Sequence, residues 1–392
     1  MYTFLVIISS FLLYISLIGI SSFYIFYPLA LWFFGFFKEK PINSGPAQPT
    51  VSMIIVTRNS EAIIKEKLDN CLSIDYPRNK LQITFVSDAS TDNTNNIISE
   101  YQDKGIHHIS INEHKGKINA LNYSTPQCTG DILVYTDTDA LLEPDSIKKM
   151  MKYYEDPDIG GICGQAVILK DTSQLKEAQS LYLDLDSKIK KLESHIGSIT
   201  SNVGKLFSIR KKLFEQIPPA VTDDLYTALS IVRQKYRFIY DPELKAYIKA
   251  LSRNSSHEIE RRRRIVSTSI RAILYNKSLL NPLKYGFFSI GLLVNKIIRR
   301  MQPFFLLFLL ISSSILYSQS VIISVLFLAQ LALYLTAIGW IAVLHFNIKN
   351  KYVYKLCSYT YYFCIGNYGM LLGSIDFFKG IKISKWNPVK GD

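Results

Sequence analysis

A doubly wound α/β domain with a mostly parallel sheet, held between membrane-crossing segments, is the fold class this sequence predicts. Three observations predict it. From residue 50 to residue 137, β-branched apolar runs alternate with helical patterns, as in parallel sheets covered by helices on both faces. Residues 1–37 carry no charged side chain, which is ample for a bilayer crossing of about 20 apolar residues. Two further apolar blocks, 303–317 and 321–346, lie toward the other end. The expected layout is therefore a transmembrane segment at 1–37, a water-soluble domain at 38–282, a basic interfacial helix at 283–302 and a membrane region at 303–392.

The first apolar segment has no basic n-region and no small-residue cleavage site, so it reads as a membrane span rather than a signal peptide. Residues 24–37, with Pro28, form its end or an interfacial continuation. TVSMIIV (50–56) is the first strand, followed by a helix with Ile63, Ile64, Leu68, Cys71 and Leu72 on one face. LQITFVSD (81–88), IHHISI (106–111) and DILVYTD (131–137) are the next strands, with helices expected over 91–102 and over GKINALNYS. Lys38 and Lys40 flank the first span, and Lys349, Lys351 and Lys355 follow the third apolar block. The positive-inside rule puts both sites in the cytoplasm, and with them the soluble domain of an integral membrane protein; the membrane expected is a bacterial cell membrane. A weaker block at 356–378, carrying Gly366, Asn367, Gly369 and Gly373, would leave the basic tail at 379–390 outside if it crossed. It is re-entrant, or the long first block is two segments.

The formal net charge is +13, yet ten Lys and Arg against two Glu fall between His257 and Arg300, directly before the C-terminal spans. A juxtamembrane belt facing anionic lipid accounts for such a run, and no nucleic-acid-binding module accompanies it. Five cysteines without CxxC spacing fit a reduced domain without a metal knot. His107 and His108 read as strand surface.

Three Asp-x-Asp triplets occur, and context ranks them. Asp156-Pro-Asp158 sits in a proline turn, and Asp184-Leu-Asp186 lies in a polar-faced helix and reads as solvated surface. Asp137-Thr-Asp139 follows an apolar strand. In doubly wound sheets ligands bind outside the carboxyl ends of the strands. Adjacent carboxylates there are relieved by Mg²⁺ or Mn²⁺, which take carboxylate oxygens and share their other positions with phosphates; a helix cap before Pro144 is the competing reading. Asp88 also ends a strand, and VSDASTDNT is either plain N-capping or a pocket for a ribose or base. Gly116 and Lys117 sit at a helix start, an anion-binding position. Asp223 and Asp224 open an amphipathic helix, where acids suit the dipole but can also supply a general base. In ERRRRIV, Arg261 and Arg264 lie three apart on one helical face, either as surface charge or as a clamp on a diphosphate.

In order, VTRNSE, VSDAS, GKINALN, YTDTDA, GKLFSIRKKLF (204–214), TDDLYTAL, YDPE and RRRRI resemble glycosyltransferase family 2 over about residues 48–300. That family comprises inverting membrane-associated transferases, among them cellulose, chitin, hyaluronan and poly-N-acetylglucosamine synthases. The resemblance implies a type A glycosyltransferase fold, Rossmann-like and flanked by transmembrane helices. It implies a nucleotide-sugar donor, expected to be UDP-linked, contacted by Thr57, Arg58, Asp88, Lys117, Asp137, Arg261 and Arg264. Asp137 and Asp139 would bind the metal and diphosphate, Asp224 would be the base, and Asp223 and Gly204 belong to the same motifs. The acceptor would be a lipid-linked molecule or a glycan, met at the cytoplasmic membrane face beside the lipids, with no nucleic acid involved. One departure matters: the Trp that closes the Arg motif in processive synthases is Ile265 here, which favours transfer of one or a few sugars over polymerisation. A processive β-polysaccharide synthase remains the alternative, and an inactive membrane scaffold is the alternative of another class. A transporter is disfavoured because the apolar blocks hold almost no ionisable residues.

Overall fold

The computed structural model describes residues 2–169, 176–249, 252, 254–348 and 350–382. Lys349 and residues 383–390 of the basic tail, used above to assign sides of the bilayer, lie outside the described residues. The chain opens with α1 (Tyr2–Ser21), a π-helical stretch at Ser22–Phe26 and α2 (Tyr27–Gly35), which run on as one helical segment with the π-helical turn just before Pro28.

The strands are β1 (Val51–Thr57), β2 (Leu81–Asp88), β3 (Ile106–Ile111), β4 (Ile132–Thr136), β5 (Leu141–Leu142), β6 (Ile159–Ile168), β7 (Leu206–Arg210) and β8 (Arg237–Ile248). They form one sheet in the order β3-β2-β1-β4-β7-β6-β8-β5. Only β7 and β5 run against the others, so the predicted mostly parallel character holds. Val51 is in register with both Leu81 and Ile132, which brings the ends of β1, β2 and β4 to one edge.

The first helices are α3 (Glu61–Leu72), α4 (Thr94–Ser99), α5 (Lys117–Ser124) and α6 (Ser146–Met151), each where the periodicity or turn chemistry favours one. Alternate residues of the strands serve two cores. Met53, Ile55, Phe85 and Val134 pack with Ile64 and Leu68 of α3 and Met150 of α6. Ile54, Val86, Leu133 and Tyr135 pack on the opposite face with Leu121 of α5. Each such buried side chain contributes roughly 1.5–3 kcal/mol. Burial on both faces is why these strands read as continuous apolar runs rather than alternating ones.

Next come α7 (Lys176–Ile196), α8 (Asp223–Arg233) and α9 (Ser255–Tyr275), then α10 (Pro282–Tyr285), α11 (Phe287–Leu292), α12 (Gln302–Ile315), α13 (Val321–His345) and α14 (Lys351–Phe378). Among the described residues three helical runs are long and apolar enough to cross a membrane: Thr3–Gly35, Phe287–Ile315 and Val321–His345. The run through α11 and α12 thus takes in most of the residues for which an interfacial helix was expected. Helix α14 packs against α13 through Trp340, Val343 and Cys357, and along α9. A Cβ at Gly369 would lie 2.7 Å from the Ile259 carbonyl oxygen, and one at Gly373 only 2.4 Å from that of Arg263. The glycines of the weak block let two backbones touch, and Arg263 seals the contact by donating to the buried carboxylate of Asp376 at 2.6 and 3.0 Å.

Candidate active site

The parallel strands deliver Thr57, Asp88 and Asp137 to one edge, at the mouth of a cavity of about 1090 Å³. Thr138 turns inward and donates to the Val56 carbonyl at 3.2 Å, so its neighbours Asp137 and Asp139 both turn out into the cavity. The competing cap reading fails, because α6 begins at Ser146 behind Asp145.

The two carboxylates are met by ammonium groups. Lys117 Nζ lies 2.8 Å from Asp137 and 3.0 Å from Asp223. Lys205 Nζ lies 2.8 and 2.9 Å from the two oxygens of Asp139 and 3.1 Å from Asp137. Burial pushes the Asp137 carboxyl up, but these two ammoniums outweigh it and hold the group well below the usual carboxylate range. Beneath the loop, fully buried Lys67 donates to the Ala140 carbonyl and, at 3.3 Å, to Thr136 Oγ1, pinning both sides of the Asp-Thr-Asp turn. Its burial lowers its own pKa, partly offset by Cys71 and by Asp137 and Asp139 above. Sequence reasoning missed Lys67 and Lys205. Lys205 directly follows the motif glycine Gly204, which was a usable signal; a lysine within an ordinary amphipathic helix gave none.

Asp88 is buried and accepts hydrogen bonds from the Gly116 and Lys115 backbone N–H groups at 3.0 and 3.2 Å, with His114 Nδ1 at 2.8 Å. Capping in this stretch falls instead to Asp92, which accepts from Thr94 N at 3.1 Å and from Glu61 N at 3.0 Å. Asp92 thus takes the capping role, and Asp88 is left at the strand end lining the cavity. Thr57 is buried and donates to Ser60 Oγ at 2.8 Å, and with Arg58 it lines the same cavity.

Asp224 enters from the first turn of α8. Burial, then the adjacent Asp223 carboxylate, pushes its pKa up to about 6. Asn202 fixes this turn by donating to the Asp224 carbonyl at 3.0 Å. A Cβ at Gly204 would stand 2.9 Å from Asp224 Oδ2, so the glycine is what leaves the carboxylate its place. Gly204→Ala is expected to lower turnover about 10–100-fold with an unchanged melting transition, since small misplacements of reacting groups cost that much; parallel rate and unfolding measurements check this.

The arginine run does not form a lipid-facing belt. Arg261 and Arg262 are held at 3.0 and 2.7 Å by Glu258, a fully buried acid on the same helix, and Arg264 and Arg261 line the cavity. Burial raises Glu258, yet the two guanidiniums overcome it and hold the carboxyl well below its ordinary value. Lys296 and Arg300 are buried as well and line the same space. The expected solvation of Asp184-Leu-Asp186 is corrected in half: Asp184 is exposed, but Asp186 lines the cavity, paired with Lys190 and, at 3.6 Å, with Arg299. The inward stripe of α7 carries Tyr182, Leu183, Asp186 and Lys190 on the cavity and buried Glu193 beyond them, and it is too polar to read as a buried face.

All the expected site residues therefore line one cavity: Thr57, Arg58, Asp88, Lys117, Asp137, Asp139, Gly204, Asp223, Asp224, Arg261 and Arg264. Among the described residues no group of three or more His, Cys, Asp or Glu is arranged to hold a metal alone. The two oxygen donors at Asp137 and Asp139 suit a hard cation that completes its shell with water and phosphate. Lys205 already places a positive charge between them.

Residues 52–218 match the family model "Glycosyl transferase family 2". These residues are a glycosyltransferase family 2 domain. The chain is 24% identical over 245 residues to a poly-beta-1,6-N-acetyl-D-glucosamine synthase of Staphylococcus epidermidis, covering 57% of this chain and 59% of that one. It is 23% identical over 212 residues to the synthase of the same name from Staphylococcus aureus strain COL, covering 52% and 51%. The chain thus spans little more than half the length of these relatives. The family 2 domain and its flanking helices share their fold with the mannosyltransferase PcManGT of Pyrobaculum calidifontis, a structure in complex with GDP-Man and Mn²⁺. That likeness has a TM-score of 0.68 at 22% identity and covers 94% of this chain and 99% of the other.

Proposed function

We propose that this protein is an inverting glycosyltransferase that moves a sugar from a nucleotide-sugar donor, UDP-linked in the first instance, to a lipid-linked or glycan acceptor at the cytoplasmic face of the membrane. The observation that carries it is one cavity combining strand-end carboxylates, a cationic wall and a carboxyl, Asp224, with its pKa lifted toward neutrality. Asp88 would hold the base or ribose. Mg²⁺ or Mn²⁺ at Asp137 and Asp139 would neutralise the donor diphosphate when bound. Lys117, Arg261 and Arg264 would put positive charge where the leaving diphosphate gains negative charge.

Asp224 takes the proton of an acceptor hydroxyl as that oxygen attacks the anomeric carbon opposite the diphosphate. The new C–O bond forms as the bond to the diphosphate breaks, so an α-linked donor yields a β-linkage. Ile265, at the position of the synthases' tryptophan, lines the cavity without an aromatic face, which supports transfer of one or few sugars. In this reading the domain expected at 38–282 lies between apolar helices, Thr3–Gly35 before it and Phe287–Ile315 with Val321–His345 after it.

The test uses membranes bearing the protein, a panel of nucleotide sugars, and Mn²⁺, Mg²⁺ or EDTA. Metal-dependent release of nucleoside diphosphate from one donor is expected. Silence with every donor, lipid extract included as acceptor, would leave an inactive scaffold as the better reading.

A further inference from the structure

We infer that the cavity contains a second anion site, at the end formed by α7 and the turns before α12, and that it takes the phosphate of an anionic acceptor. The inference rests on the transferase reading above. Four cations meet there: Lys190 from α7, and Lys296, Arg299 and Arg300 from the helical turns between α11 and α12. Lys190, Lys296 and Arg300 line this end of the cavity, and Asp186 is the carboxylate that lines it with them. Asp186 is already taken by Lys190 and Arg299.

Among the described residues Arg300 is positioned by neutral acceptors only, Ser269 Oγ at 2.9 Å and the Lys296 carbonyl. The Lys296 side chain is 8% exposed, and its ammonium has no hydrogen bond or ion pair among the described residues. Two cations thus face the cavity without a counter-charge. A buried charge in that position is costly until an anion joins it.

The donor diphosphate has its own wall in Lys117, Arg261 and Arg264, on α5 and α9. A second anion then belongs to the other substrate. A neutral glycan could accept hydrogen bonds from these cations but would leave both charges uncompensated, whereas a phosphate monoester or diphosphate on the acceptor would satisfy both. Lys296 and Arg300 lie on the run Phe287–Ile315, which is long and apolar enough to enter a membrane, so a phosphate on a lipid headgroup would reach them with its chains beside α12. A soluble phosphorylated acceptor offers the same chemistry.

The full chain in phosphatidylcholine nanodiscs separates these cases by its thermal midpoint. Polyprenyl phosphate, neutral polyprenol, and inorganic phosphate or pyrophosphate in solution are the acceptor-site probes, with UDP or GDP plus Mn²⁺ as the donor-site probe. Polyprenyl phosphate is expected to raise the midpoint where polyprenol does not, and a K296Q/R300Q variant should bind it at least about tenfold more weakly. That variant should still bind nucleotide, which shows it is folded, and K296R/R300K should recover the lipid response. An equal rise from free phosphate or pyrophosphate assigns the site to a soluble phosphorylated acceptor. Three results overturn the inference: no response to any phosphate by a wild type that binds nucleotide, an unweakened response in the variant, or a variant that loses nucleotide and keeps the lipid. A wild type that binds the phosphate lipid but no nucleotide would defeat the transferase reading and leave the anion site standing.

Discussion

Asp224→Asn lowers turnover by about 10²–10⁴, the range associated with loss of a general base, and leaves nucleotide binding near the wild-type level. The substitution keeps the shape of the side chain and an oxygen to accept from Leu225 N, now bonded at 2.7 Å, so the helix start stays intact. What it removes is a proton acceptor. The wild-type profile should report that acceptor: with its pKa raised to about 6, Asp224 is protonated and idle below that value and competent above it. kcat/KM should therefore climb as pH rises through about 6 and then level off. The variant's residual rate should lack this rise. Rates of nucleoside diphosphate release between pH 5 and 8, at fixed metal, decide it. An Asn variant with substantial turnover, or a wild-type profile flat through 6, would move the base elsewhere.

The sheet was legible in the sequence because its strands are buried on both faces and alternate with helices, a pattern few folds share. The strand-end position of Asp137 then separated one Asp-x-Asp triplet from two others of equal composition. Legibility failed where a residue's role depends on what faces it from a distant element. Lys205 reads as an ordinary lysine until β7 runs back beside β4 and sets it between two aspartates. Asp186 shares its helix with exposed Asp184, and only the meeting of α7 with the turns before α12 turns it inward. The arginine run is the clearest case. Local charge density pointed to lipid, but Glu258, three and four residues upstream, draws Arg261 and Arg262 inward, and α14 covers Arg263. The i,i+3 and i,i+4 spacing of that glutamate was readable and would have argued for a buried network.

Asp139→Ala should abolish the metal response of nucleotide binding. Lys205 bridges Asp137 and Asp139 at 2.8–3.1 Å, so a divalent ion held by those carboxylates would have an ammonium beside it. Metal and diphosphate must compete with that lysine, and they can win only if both carboxylates are offered. Without Asp139, Lys205 pairs with Asp137 alone, and the metal position keeps one carboxylate already matched by an ammonium. Interactions of about 1.5–3 kcal/mol per charged partner translate into a loss of about 10–100-fold in metal-dependent affinity. Titration of nucleoside diphosphate with Mn²⁺ and with EDTA should give well-separated curves for the wild type and coincident curves for the variant. Lys205→Met should shift the balance the other way, tightening Mn²⁺ binding in the absence of nucleotide because the competing ammonium is gone. If Asp139→Ala still distinguishes Mn²⁺ from EDTA, the metal is held elsewhere and the Asp137–Lys205–Asp139 bridge is a structural ion pair.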